Sequence, residues 1–159
     1  MTPMMETQRD RMEEIQFENI VKERGYIPRK LPNKFQTAEN KVAAEGDWMI
    51  FHGYSGKLHC IVEFKRRYVN HDAYPTLIVG LAKWMRLKDL ASACGLYSAY
   101  IVIKYNDEMM VYEVPDCGRP DVRWGGRTDR GLNSDMEPVV HIDHYSSITI
   151  EEWVGEVLV

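Results

Sequence analysis

The chain has 159 residues, 45% of them apolar and 28% charged, with a formal net charge of -4. That length bounds one globular domain whose core needs no disulfide staples. The acidic balance excludes a protein that coats nucleic acid through bulk charge, though a locally basic segment remains possible, and no apolar run approaches the ~20 residues of a membrane span.

In chain order, residues 1 to 7 read as a frayed start without the apolar core of a secretory leader. From Gln8 to Arg24 the apolar residues Met12, Ile15, Phe17, Ile20 and Val21 recur at three- and four-residue spacings, which predicts a helix that Gly25 ends. Tyr26 to Asn33, with Pro28 and Pro32, reads as extended or loop, and Phe35 to Ala44 as either a short helix or a loop. Trp48 to Phe51 and Leu58 to Lys65 read as strands, joined by a glycine-bearing hairpin loop at His52 to Lys57. After a polar connection, Pro75 is placed at the first turn of a long helix that ends near Gly95. Tyr97 to Tyr105 and Met109 to Val114 read as strands, the first buried on both faces. Strand, long helix, strand implies a parallel crossover. Pro115 to Glu137, with Arg119, Arg123, Arg127 and Arg130 among glycines, reads as a long loop or insertion. Pro138 to Tyr145 reads as a strand, and Thr149 as the N-cap of a short final helix carrying Glu151 and Glu152.

The order gives an α/β class: a central mixed sheet of four or five strands flanked by helices. The whole of 1–159 is taken as one domain, with a core over about 8–114, an Arg/Gly-rich loop over 115–137 and a C-terminal strand and helix over 138–159. Cys60, Cys94 and Cys117 are odd in number and lack a Cys-x-x-Cys spacing. Two lie in apolar segments and read as buried thiols, which fits a reducing compartment.

The chemistry concentrates at one place. Glu63 and Lys65 close the apolar run Leu58 to Val62 and, two apart on a strand, share a face. Asp47 opens the preceding strand, so a hairpin brings its carboxylate to Glu63 with Lys65 alongside. Two hard oxygen ligands and one cation suit Mg²⁺ or Mn²⁺ holding a phosphodiester, with Lys65 orienting water or stabilising developing charge. The bland alternative is a surface charge pair, but a carboxylate ending an apolar run is costly to bury unpaired. Lys57, Arg66 and Arg67 make this segment basic and are candidate contacts to a nucleic-acid backbone.

Asp-(n)-Glu-x-Lys in Gly46-Asp47-Trp48-Met49-Ile50 and Ile61-Val62-Glu63-Phe64-Lys65-Arg66-Arg67 resembles the core motif of the PD-(D/E)XK, restriction-endonuclease-like nuclease superfamily, near its Holliday-junction-resolvase-like branch. Glu14 on a helix followed by Gly25-Tyr26 extends the resemblance upstream, and the helix and apolar strand after Lys65 extend it downstream, over about residues 8 to 105. Gly46 stands where many members carry proline. The resemblance implies a restriction-endonuclease-like fold, metal-dependent DNA hydrolysis with catalytic Asp47, Glu63, Lys65 and Glu14, and a metal shell of Asp47, Glu63 and Glu14. Glu18 and Glu13 are the alternatives on the first helix. It also suggests a polar residue near the site, Tyr74 or Lys83, on or before the long helix, and Lys83 is counted with the candidate nucleic-acid contacts.

Arg123 and Arg127, beside Trp124, are further candidate DNA contacts, although Asp121, Asp129 and Asp135 nearly balance them and an internally salt-bridged loop is as good a reading. His141 and His144 lack the spacing and the cysteines of a zinc site. DNA is the expected partner with RNA left open. A homodimer is preferred because a two-strand cut needs two sites, and the cytoplasm, of a host cell if a phage carries the gene, is the expected location. A catalytically inactive nucleic-acid-binding or assembly module on the same fold is the competing reading.

Overall fold

A computed structural model describes residues 3–31, 47–115, 118–126 and 136–158. The predicted first helix is α1 (Pro3–Glu23). Gly25 terminates it at a φ of +85°, a conformation that favours glycine, with its N–H donating to the Lys22 carbonyl at 2.9 Å. Tyr26 then opens β1 (Tyr26–Lys30), an added strand where the sequence left strand and loop unresolved. β1 pairs antiparallel with β2 (Asp47–His52), and β2 pairs antiparallel with β3 (Leu58–Arg66) in the expected hairpin. Gly53 in the hairpin loop touches the helix cap: a Cβ there would lie 2.1 Å from the Gly25 carbonyl oxygen, so only glycine fits.

The segment after Pro75 corrects the sequence reading. Thr76–Gly80 forms strand β4, and helix α2 starts only at Leu81, running to Ala93. Leu77 and Val79 are buried while Ile78 is exposed. That period of two and the β-branched run outweigh proline's preference for a helix start. β5 (Ser98–Lys104) lies parallel to β3, which gives the crossover, and β6 (Met109–Pro115) returns antiparallel to β5.

The supposed loop over 115–137 also contains a strand. β7 (Asp121–Gly126) pairs antiparallel with β8 (Met136–Asp143), which pairs in turn with β4. The central sheet therefore has six strands rather than four or five, ordered β1-β2-β3-β5-β6-β9 with β9 at Ile148–Thr149, beside a second sheet ordered β4-β8-β7. Thr149 does cap α3 (Ile150–Glu152): its hydroxyl accepts the Glu152 N–H at 3.2 Å, and the Glu152 carboxylate accepts the Thr149 N–H at 3.4 Å. The chain continues through a π-type turn at Trp153–Val157. No helix among the described residues is long and apolar enough to cross a membrane.

The central sheet carries a core on each face. On one side Phe17 and Val21 of α1 pack on Trp48, Val62 and Phe64, with Trp153 and Ile150 beside them. On the other, Trp84, Leu87 and Ala91 of α2 pack with Leu77, Val79, Val140 and Ile142 of the second sheet on Ile61, Ile101 and Ile103. Cys60 is buried in the first core, and its burial pushes the thiol up to about 12. Cys94 corrects its expectation: it sits exposed at the end of α2, and Cys117 lies outside the described residues.

Candidate active site

Strand alternation sorts the charged residues between these two faces. On β3, Val62, Phe64 and Arg66 face α1, whereas Ile61, Glu63 and Lys65 face α2. Asp47 is the direct partner of Glu63 across the β2–β3 ladder, an arrangement that sets Cβ atoms about 5 Å apart. The Asp47 main chain is fixed from both sides, because its carbonyl also accepts the Leu31 N–H at 2.9 Å. β3 lies between β2 and β5, which leaves Glu63 0% exposed, and Asp47 is 7% exposed.

Helix α2 lies across this pair. Lys83 and Arg86, three apart and so on one helical face, reach down to it. Lys83 Nζ pairs with Glu63 Oε1, and Arg86 Nη2 lies 2.6 Å from Asp47 Oδ2. Burial raises the Glu63 carboxyl above its ordinary value. The charge and hydrogen bond of Lys83 and the charge of Lys65 oppose that rise, and the charge of Asp47 adds to it. Glu63 Oε2 is buried and accepts no hydrogen bond from the described residues. A buried carboxylate oxygen in that state is costly, and a hard divalent cation satisfies it. Two carboxylates on adjoining strands are oxygen donors of the kind Mg²⁺ and Mn²⁺ take, so these residues fit the ion.

The other candidates separate by face. Glu14 does not join the pair. From α1 its carboxylate accepts the Trp48 indole N–H at 2.9 Å and the Lys30 ammonium at 3.0 Å. Glu13 holds Arg66 Nε at 2.7 Å, and Glu18 pairs with Lys22 at 2.9 Å. Among the described residues, the three acidic or histidine ligand atoms lying within 4.8 Å of one another belong to His71, Asp72 and Asp107, on surface loops.

Arg66 is engaged by the protein itself. Besides Glu13 it donates to the Lys104 carbonyl and to Asn106 Oδ1, each at 3.0 Å, and it lies 4.3 Å over the Tyr68 ring. Its side chain is 7% exposed among these partners. Arg66→Ala is expected to cost about 2–3 kcal/mol in urea denaturation by stranding these partners. It is expected to leave the salt dependence of DNA binding unchanged, where a phosphate contact would lower the slope by about 1.

Lys57 and Arg67 are exposed, as is Tyr74. Arg123 lies on exposed β7 and is paired with Asp121 at 2.8 Å, as the salt-bridged alternative expects; Arg127 lies outside the described residues. His141 Nδ1 lies 2.8 Å from the Thr76 hydroxyl, and His144 lies near Tyr112.

Arg86 is the site residue that sequence reasoning missed. Its only signal is the Lys83-x-x-Arg86 spacing, which becomes meaningful once the docked face of α2 is known.

Away from the site, the Asp107 carboxylate accepts both the ring N–H of His71 at 2.5 Å and its backbone N–H at 2.9 Å. This hydrogen bond raises the His71 imidazole above 6.5. A raised histidine stabilises the fold fully below its unfolded value and loses that contribution as pH rises through the folded one. Wild-type melting temperature is therefore expected to show a downward step above pH 6.5 that Asp107→Asn removes, read by thermal melts across pH.

A sequence model of the family described as "Phage putative PDDEXK endonuclease" matches residues 1–148. Among solved structures, the chain is similar to Hjc, a Holliday junction resolvase of the archaeal hyperthermophile Archaeoglobus fulgidus. The TM-score is 0.52 at 13% identity, over 94% of this chain and 98% of that one. No curated protein sequence matches the chain.

Proposed function

This chain belongs to the phage PDDEXK endonuclease family, and we propose that it hydrolyses DNA phosphodiester bonds using Mg²⁺ or Mn²⁺ held by Asp47 and Glu63. The observation that carries the reading is the buried acid pair, whose Glu63 Oε2 lacks a hydrogen-bond donor among the described residues. A divalent cation bound there supplies the positive charge that draws in a phosphodiester and makes water a better nucleophile.

The protein's own part is positional. Lys65, on the face of Glu63, orients the attacking water or donates to charge growing on the phosphate oxygens. Lys83 and Arg86 fix the two carboxylates, which otherwise repel each other, in one arrangement. Lys57 and Arg67 are the exposed cations of the hairpin and strand end assigned to the DNA backbone. Glu14 is assigned to the support of Trp48, next to Asp47, rather than to the metal.

The test is purified protein with Mg²⁺ or Mn²⁺ on linear, nicked, single-stranded and branched DNA, with an RNA arm. Cleavage of at least one DNA substrate that EDTA abolishes is the expected result, and cleavage in EDTA overturns the metal assignment. A homodimer follows from the need to cut two strands, and light scattering is expected to give twice the 18.6 kDa chain mass.

The ion pairs from Lys83 and Arg86 favour a second reading, in which they permanently neutralise a silent site on a DNA-binding module. Mn²⁺ titration separates the two: binding lost in Asp47→Asn supports the nuclease, and no binding supports the silent module.

A further inference from the structure

The second sheet ends in an open strand. β7 pairs with β8 on one side, and among the described residues no strand pairs with its other edge. Such an edge presents a row of backbone N–H and C=O groups that natural proteins usually shield. Here the side chains invite a partner instead. Val122 stands opposite Val140 and, through it, Val79, so the apolar face of this sheet runs out to the edge. There Val122 is 45% and Trp124 70% exposed.

Asp121 and Arg123 alternate with these two and so lie on the other face, held to each other at 2.8 Å. One acid and one base two apart on an edge are complementary to themselves when the strand is reversed. Antiparallel pairing of two copies about Val122 sets Asp121 opposite the partner's Arg123, and Arg123 opposite the partner's Asp121. In the same register Val122 meets the partner's Val122, and Trp124 meets the partner's Pro120. Centring the pair on Asp121 or Arg123 instead sets like charges face to face, which is destabilising. Centring it on Trp124 sets Arg123 against the partner's Gly125. The charges therefore select one register, and the apolar residues match in that same register.

We propose that β7 binds the β7 of a second copy of this chain, edge to edge and antiparallel, across a two-fold axis at Val122. The two second sheets then form one continuous sheet, an isologous contact in which each residue repeats its partner's role. The inference rests on the homodimer proposed above and names its contact surface. β7 belongs to the second sheet, whereas Asp47 and Glu63 belong to the central one, so substitutions on β7 report on association separately from cleavage.

Sedimentation equilibrium of the full chain tests this. One strand edge is a small interface, so a dissociation constant on the order of 10 µM is expected. Asp121→Arg and Arg123→Asp each set like charges opposite one another. Each is expected to weaken self-association at least about tenfold, with unchanged circular dichroism because both positions are exposed. Mixed in equal amounts, the two variants are expected to associate with each other about as tightly as the parent does with itself, since opposite charges again face. Trp124→Ala is expected to weaken association several-fold. A parent that stays monomeric well above the expected constant overturns the inference together with the homodimer. A dimer indifferent to both reversals overturns the β7 contact alone, and so does a mixture that fails to associate. A Trp124→Ala variant that associates like the parent but binds single-stranded DNA less well assigns the edge to nucleic acid and also overturns the inference. EDTA-sensitive cleavage is assayed in parallel: a β7 dimer without cleavage leaves this contact standing while the nuclease reading falls.

Discussion

Asp47→Asn is expected to lower metal-dependent DNA cleavage by about 10³-fold or more while leaving the protein folded. The substitution keeps side-chain volume and removes one of the two anionic oxygen donors. Loss of charge stabilisation at a transition state of this kind costs about 10²–10³ in rate, with weaker metal binding added to it. The fold tolerates the change because Arg86, the partner left behind, is 45% exposed and returns to water. Single-turnover cleavage with matched circular dichroism measures this. Glu14→Gln is the internal comparison. Its carboxylate holds Trp48 and Lys30 on the α1 side of the sheet, so a few-fold loss is expected. A Glu14→Gln loss equal to that of Asp47→Asn places Glu14 in the metal shell after all.

Lys83→Met is expected to produce the largest change in stability, and a pH-dependent one. Glu63 is fully buried, burial raises its carboxyl, and Lys83 is the strongest influence holding it down. Without that ammonium the folded-state value climbs further above the ordinary 4.5. Between those two values the native state then binds a proton that the unfolded chain does not, so stability falls as pH rises through the window. At pH 8 the buried carboxyl without its nearest cation is expected to cost about 3–5 kcal/mol. The loss is expected to be smaller at pH 5, because a carboxyl raised by burial takes up its proton as pH falls. Urea denaturation at both pH values tests this, and Glu63→Gln in the same chain is expected to restore stability at pH 8. A loss equal at both pH values assigns the cost to packing instead of charge.

Much of this arrangement was legible in the sequence. Glycines between two apolar runs specify the hairpin, and the hairpin sets Asp47 opposite Glu63. A period of two then brings Lys65 to the same face. Gly25 and Thr149 mark helix ends because a positive φ and a side-chain acceptor are local requirements. Thr76 to Gly80 was misread because Pro75 followed by Leu77, Ile78 and Leu81 suits a helix start as well as a strand entry. β7 escaped because Arg123, Trp124 and its glycines resemble loop composition, and only pairing with β8 makes them a strand. The hold of Glu13 on Arg66 was not legible, since a strand-end arginine carries no mark of a carboxylate waiting on α1.

By itself the sequence determined which residues lie on one face of a strand and where helices stop, since both follow from backbone geometry within a few residues. The tertiary structure decided which side of the sheet each helix covers. It thereby gave Lys83 and Arg86 to the buried acids and kept Glu13 and Glu14 on the opposite face. Docking is settled by apolar packing among elements far apart in the chain, and no local pattern contains that information.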